Sequence, residues 1–205
     1  GIRDDLVTGV QTCALPIYGN TFHTIAEVCP ELKSRTLTMN GLSKSHCMTG
    51  WRVGYAAGPL NIINAMNKVQ SQNVSSTSSI SMAASVEALN GDQSFIASNK
   101  ESFVRRRNLV VKHLNETPGL NCRTPEGAFY VFPSCQGVLD KTSPAGKKIS
   151  TDSDFMDYLL EEVGVAGVQG SAFGLEGYFR ISYATSDSIL EDACQRIKNA
   201  CSKLS

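Results

Sequence analysis

Lys44 lies in the run Asn40-Gly41-Leu42-Ser43-Lys44-Ser45-His46-Cys47-Met48-Thr49-Gly50-Trp51-Arg52-Val53-Gly54-Tyr55. The β-rich stretch Thr36-Leu37-Thr38-Met39 and small residues precede it, which suits an amine held at the end of a strand. Arg52 follows eight residues later and opens a second strand-like stretch, Val53 to Ala57. An amine that forms a Schiff base needs a tight, partly desolvated seat. A planar guanidinium suits two-pronged capture of a phosphate. Without their neighbours, the same two residues read first as surface cations flanking a hairpin. Arg180, in Phe179-Arg180-Ile181-Ser182-Tyr183-Ala184, is the second constellation. In a strand it faces away from Phe179 and Ile181. An inward arginine is costly unless it meets an anion. The other reading is an edge-strand arginine paired with a local carboxylate.

An aldehyde that also carries a phosphate, as pyridoxal 5′-phosphate (PLP) does, would satisfy Lys44 and Arg52 together. The whole run resembles the cofactor-lysine signature of the class I/II aminotransferases, PLP enzymes of fold type I. Its Met-Thr-Gly-Trp-Arg-x-Gly form is similar to the bacterial-type aspartate aminotransferase branch. The resemblance implies that Lys44 is the catalytic lysine that holds PLP covalently and that Arg52 binds its phosphate. Phe179 to Ala184 is similar to the family's Arg-Ile-Ser-Tyr-Ala element, which implies that Arg180 clamps the substrate α-carboxylate. Two positions depart from the pattern. Cys47 stands where another small residue is usual, and Gln169 where relatives commonly carry proline. The implied activity is transfer of an amino group between an L-amino acid, aspartate, and a 2-oxo acid, 2-oxoglutarate. Prephenate, alanine and aromatic amino acids are the runners-up. PLP would act as electron sink, and the freed Lys44 amine would carry the proton from substrate Cα. The pyridinium-binding aspartate and the ring tyrosine of the family belong upstream of this stretch. The same fold and lysine also serve PLP lyases and synthases, and PLP-binding transcription regulators; an inactive remnant is a further alternative.

The elements that must position these residues alternate between strand and helix, which indicates an α/β fold. Leu60 to Val74 has helical spacing after Pro59, and Ile80 to Leu89 reads as a second helix closed by Asn90-Gly91. Phe95 to Leu114 is a long amphipathic helix whose Arg105, Arg106 and Arg107 are expected on a solvated face. Gly127 to Phe132 reads as a strand. Ser153 or Asp154 can cap a helix that Gly164 ends. Val165 to Val168 and Tyr178 to Tyr183 are strand-like, and Ile189 to Leu204 forms a closing helix. The glycines from Gly164 to Gly174 are spaced like a phosphate loop but lack a P-loop lysine and a following helix. Trp51 is expected in core or wall, and His46 as a structural histidine rather than a base. The resemblance spans Tyr18 to Leu204. It implies a partial large PLP-binding domain over residues 18–92, then a connecting helix and small C-terminal α/β domain over 93–205.

Val7 to Ile17 looks like the conceptual translation of a sequencing-library adapter, so residues 1–17 are set aside as a non-native segment. At 205 residues and 41% hydrophobic content, the chain can bury a real core. Nineteen basic residues balance nineteen acidic ones, which disfavours nucleic acid and membrane surfaces as partners. The seven cysteines are scattered without a CxxC pair, against a disulfide framework or a zinc site and consistent with a reducing, cytoplasmic setting. Family resemblance implies a homodimer at full length. No metal is expected.

Overall fold

A computed structural model describes residues 7–13, 18, 19, 21 and 23–205. The chain divides into two compact units, Gly1–Ser98 and Asn99–Ser205.

The first unit carries a three-stranded sheet of order β1-β2-β3: β1 (Val7–Cys13), β2 (Thr36–Gly41) and β3 (Gly54–Ala57). β1 runs parallel to β2, with a register shift between Thr8 and Val10. The backbone of Val7–Cys13 thus pairs within the stretch set aside as non-native. β2 and β3 are antiparallel, with Gly41 opposite Gly54. A one-turn helix, α1 (Ile25–Val28), precedes a 3-10 turn over Pro30–Arg35 that leads into β2. After β3 come α2 (Leu60–Asn73) and α3 (Ser79–Asn90), within a residue or two of the expected spans. α2 buries none of its residues. α3 buries only Ser81 and Ser85 and leaves Ile80 and Val86 exposed.

The unit boundary falls inside α4 (Ser94–Asn115). The second unit holds an antiparallel sheet of order β4-β6-β5: β4 (Tyr130–Val131), β6 (Phe179–Ser182) and β5 (Val168–Gln169). Gly127 to Phe132 contributes only two residues to the ladder, because Ala128 sits at φ 65° and bends the strand entry. Helices α5 (Asp152–Val163) and α6 (Asp187–Cys201) complete this unit. Their buried residues recur at helical spacing: Phe155, Met156, Tyr158 and Leu159 on α5, and Leu190, Cys194, Ile197 and Cys201 on α6. Val110, Val111 and Leu114 of α4 join the same core, with Phe179 and Tyr183 fully buried. Burying each such large side chain stabilises by about 1.5–3 kcal/mol relative to exposure.

The cap of α5 lies two or three residues before the expected Ser153 or Asp154. Thr151 is the N-cap: its hydroxyl accepts from Asp154 N–H at 3.1 Å, and Asp154 Oδ2 accepts from Thr151 N–H at 2.9 Å. The reciprocal pair needs an acid three residues after the cap, which Thr151 has. Gly164 ends the helix at φ 66°, a left-handed position that glycine adopts without Cβ strain. The arginine triplet on α4 is only partly a solvated face. Arg105 and Arg106 both donate to Asp187, at 2.6 and 3.0 Å, which ties α4 to the first turn of α6. Arg107 donates to the Pro125 carbonyl at 3.2 Å.

Candidate functional site

Lys44 and Arg52 share the connection between β2 and β3. Because Gly41 opposes Gly54, the two ends of this loop are neighbours, and Lys44 follows one end as Arg52 precedes the other. The buried side chains of Leu42 and Met48 anchor the loop. His46 N–H donates to the Leu42 carbonyl at 3.1 Å, and Trp51 N–H to the Met48 carbonyl at 3.2 Å. α3 holds the far end: the Ser81 hydroxyl donates to the Trp51 carbonyl at 2.8 Å, and the Ser85 hydroxyl to the Ser81 carbonyl at 2.7 Å. Of the two buried serines of α3, Ser81 therefore serves the loop, while Ser85 bonds back within its own helix.

Two non-glycine residues of this loop adopt the left-handed region, Cys47 at φ 53° and Arg52 at φ 51°. Such positions are uncommon for residues with a Cβ and gather at functional sites. Arg52 Nη1 donates to the Thr49 carbonyl at 3.0 Å, which fixes one edge of the guanidinium and leaves its other donors to a ligand. Lys44 and Arg52 are both exposed, so the desolvated seat expected around the amine is not formed by the described residues. Trp51 is 44% exposed, so of the two expected places, core or wall, it is not in a core of the described residues. His46 lies between Ser45 and Gln93, with its ring nitrogens 2.7 Å from the Ser45 hydroxyl and 3.2 Å from Gln93 Oε1. Phe95 packs edge-on against the ring at 5.4 Å. Both nitrogens being engaged fits a structural histidine.

The surroundings are electropositive. No Asp or Glu occurs between Glu31 and Glu87, whereas Lys33, Arg35, Lys44, Arg52 and Lys68 fall in that interval. A single-signed stretch of this kind favours an anionic ligand. This signal stands in the sequence and is masked by the zero net charge of the whole chain. A groove of about 660 Å³ lined by Glu31, Lys33, Thr36, Thr38 and Gly58 lies at the opposite end of the β2–β3 ladder from Lys44.

Arg180 lies on β6, the central strand of the second sheet, rather than on an edge. Among the described residues it forms no ion pair. Its Cζ instead lies 4.5 Å from the centre of the Tyr130 ring and 4.6 Å from that of Phe173. Contacts of this kind hold a guanidinium by its faces and leave its N–H edge for a planar anion. Strand alternation put Arg180 on the face opposite Phe179 and Ile181, but the approach of Tyr130 and Phe173 was not visible in the sequence. The glycine-spaced segment builds β5 and a 3-10 turn, Gly170–Phe173, rather than a phosphate loop. A Cβ on Gly170 would press on the Leu175 and Tyr178 carbonyls, so this position has no room for a side chain. Among the described residues, no group of His, Cys, Asp and Glu could hold a metal.

A family model for aminotransferases of class I and II matches residues 12–197. An aspartate aminotransferase of Rhizobium meliloti is 59% identical over 187 residues, covering 91% of this chain and 46% of that protein. An aspartate/prephenate aminotransferase of Cereibacter sphaeroides is 55% identical over 184 residues, covering 90% and 46%. The crystal structure of the Rhizobium meliloti aspartate aminotransferase superposes with a TM-score of 0.90 at 59% identity, over 93% of this chain and 48% of that one. A Thermus thermophilus aspartate aminotransferase with maleate gives 0.80 at 34% identity, over 90% and 45%. The chain spans about half the length of the curated relatives it matches.

Proposed function

The chain belongs to the class I and II aminotransferases, and from that premise we propose that the whole protein transfers an amino group between aspartate and 2-oxoglutarate with PLP as cofactor. The observation that carries this reading is the β2–β3 loop. It presents one exposed amine and one exposed, backbone-fixed guanidinium in a stretch free of carboxylates. That donor set fits an aldehyde and a phosphate on one molecule. When bound, PLP supplies the electron sink for breaking bonds at the substrate Cα. Lys44 Nζ holds the cofactor and, once released, carries the proton that leaves Cα. Arg52 binds the phosphate with the donors that Thr49 does not occupy. Arg180 takes the substrate carboxylate, and its packing against Tyr130 and Phe173 sets the plane in which it does so. A dicarboxylic amino acid is supported by relatives bearing the name aspartate aminotransferase. Prephenate is the second acceptor to consider, because other relatives are named aspartate/prephenate aminotransferases.

In this reading residues 18–92 end the large domain, residues 93–205 supply the connecting helix and small domain, and residues 1–17 are non-native. The whole protein is a homodimer of the cytoplasm. Among the described residues, no helix is long and apolar enough to cross a membrane.

The test joins residues 18–205 to an upstream half of the length its relatives have. Aspartate with 2-oxoglutarate, and then with prephenate, is assayed beside residues 18–205 alone. Activity is expected only in the longer protein, and Lys44→Ala should abolish it. Borohydride reduction should leave the PLP label on the peptide that contains Lys44. An unchanged turnover number in Lys44→Ala, or label on another lysine, overturns the reading.

A further inference from the structure

Asp152 is a charged side chain that none of these roles uses, and it is 3% exposed. Among the described residues no lysine, arginine or histidine forms an ion pair with it. A carboxylate buried without a counter-charge is tolerated where strong hydrogen bonds replace its hydration. Asp152 has two. Oδ1 accepts from Ser153 N–H at 3.0 Å, a local bond at the start of α5. Oδ2 accepts from Ser171 N–H at 2.7 Å and crosses nineteen residues to the 3-10 turn Gly170–Phe173.

That turn is therefore held at successive amides: Gly170 N–H donates to the Tyr178 carbonyl at 2.7 Å, and Ser171 N–H donates to Asp152. Gly174 N–H closes it on the Ser171 carbonyl at 3.0 Å. Phe173 ends the turn, and its ring lies against the Arg180 guanidinium. Phe173 itself is 49% exposed, so its ring is held by the backbone of the turn together with an edge-on contact with the Phe132 ring at 5.9 Å rather than by burial.

We propose that Asp152 is a positioning residue for Arg180: by holding the turn Gly170–Phe173 it keeps the Phe173 ring against the guanidinium, in the orientation that receives a substrate carboxylate. The proposal rests on the reading of Arg180 as the carboxylate site. A carboxylate is the group this place requires, because it accepts at both oxygens. An asparagine offers one acceptor, and its NH2 would face the other N–H.

The experiment uses the restored full-length holoenzyme and the variants Asp152→Asn, Asp152→Ser, Phe173→Leu and Arg180→Lys. Asp152→Ser keeps a short acceptor for the first turn of α5 but cannot reach Ser171, so it stands in if the asparagine variant folds poorly. Both Asp152 variants should raise KM for aspartate and the inhibition constant of maleate about tenfold. The value of kcat should stay within about twofold, PLP affinity should be unchanged, and single-turnover reaction with an amine lacking a carboxylate should be unaffected. Combined with Phe173→Leu, either variant should add little to the loss that Phe173→Leu causes alone. A lowered melting temperature with KM and maleate binding intact, or fully additive losses in the double variant, overturns the proposal. Intact maleate binding in Arg180→Lys overturns the Arg180 reading and this proposal with it. Weakened binding there, with no effect of either Asp152 variant, overturns this proposal alone.

Discussion

Arg52 is an arginine in a backbone conformation that its own Cβ disfavours, with φ 51° and ψ 47°. Conformations of this kind cost about 1–3 kcal/mol and persist where the surroundings over-determine them. Here the over-determination is visible in the bond from the Arg52 guanidinium to Thr49 and the bond from Ser81 to the Trp51 carbonyl. The backbone is thus arranged around the guanidinium, and two substitutions separate its roles. Arg52→Ala should weaken PLP binding in the full-length protein by roughly 1.5–3 kcal/mol, the range for hydrogen bonds to a charged group. Arg52→Lys should recover little of it, since an ammonium lacks the planar fork. Titration of the apoenzyme with PLP reads both, and wild-type affinity in Arg52→Ala would remove the phosphate assignment.

Between elements, two ties lend themselves to measurement. The first is Asp187, at the first turn of α6, which accepts from Arg105 and Arg106 of α4. The Arg105 hydrogen bond, and then that of Arg106, hold its carboxyl below the usual aspartate range. A carboxyl depressed by folding stabilises above its unfolded pKa, about 3.9, and that stabilisation is lost as pH falls through the lower folded value. Asp187→Asn should therefore lower the urea midpoint at pH 7 and narrow its gap from wild type below about pH 3.9. A gap independent of pH would show that the ion pairs contribute nothing. The second tie is the turn at Gln169. Gln169 has φ −58°, which a proline ring would hold. It lies on β5, an edge of the sheet. The bond from Gly170 N–H to the Tyr178 carbonyl, with the ladder's alternation, turns the Gln169 N–H away from β6. Gln169→Pro should raise stability by about 0.4–1 kcal/mol, by restricting the unfolded chain. Destabilisation in a denaturant melt would mean that the Gln169 N–H has a partner.

At the scale of the molecule, the second unit hides four thiols in one core. Burial pushes Cys135 and Cys201 up to about 12, and Cys122 and Cys194 to about 11, from an ordinary 9.0. A thiol kept protonated by folding is stabilising below its unfolded pKa, and this contribution is lost as pH rises toward the folded value. Urea midpoints should therefore fall between pH 8 and pH 10.5, roughly the interval in which unfolded thiols ionise while the buried ones do not. These four should also react with a thiol reagent only at the rate of unfolding. Rapid modification of any of them in the native protein, or a midpoint flat over that interval, would contradict the burial described. The first unit differs in kind. Few of its described residues are buried, and Leu60, Val69, Ile80 and Val86 lie 60–74% exposed.

What this sequence determines by itself is local in origin. Helical spacing placed α2, α3 and α4 within a residue or two, because 3.6-residue periodicity and Gly or Pro punctuation are properties of neighbours along the chain. The spacing of Lys44 and Arg52, and the alternation around Arg180, were equally legible, as was the family. Position in space required the tertiary structure. Thr151 became the cap of α5 through a reciprocal bond with Asp154, and Arg105 and Arg106 of α4 turned toward Asp187, 82 and 81 residues away. Asp152 stands ahead of the cap expected at Ser153 or Asp154; only the structure put it in the first turn of α5, as a buried acceptor for Ser171. The same is true of Phe173, which reaches Arg180 because Gly170, without a side chain, lets the turn close on Tyr178. Local propensity decides which residues can share an element, whereas burial and long-range hydrogen bonds decide which elements bring their side chains to one place.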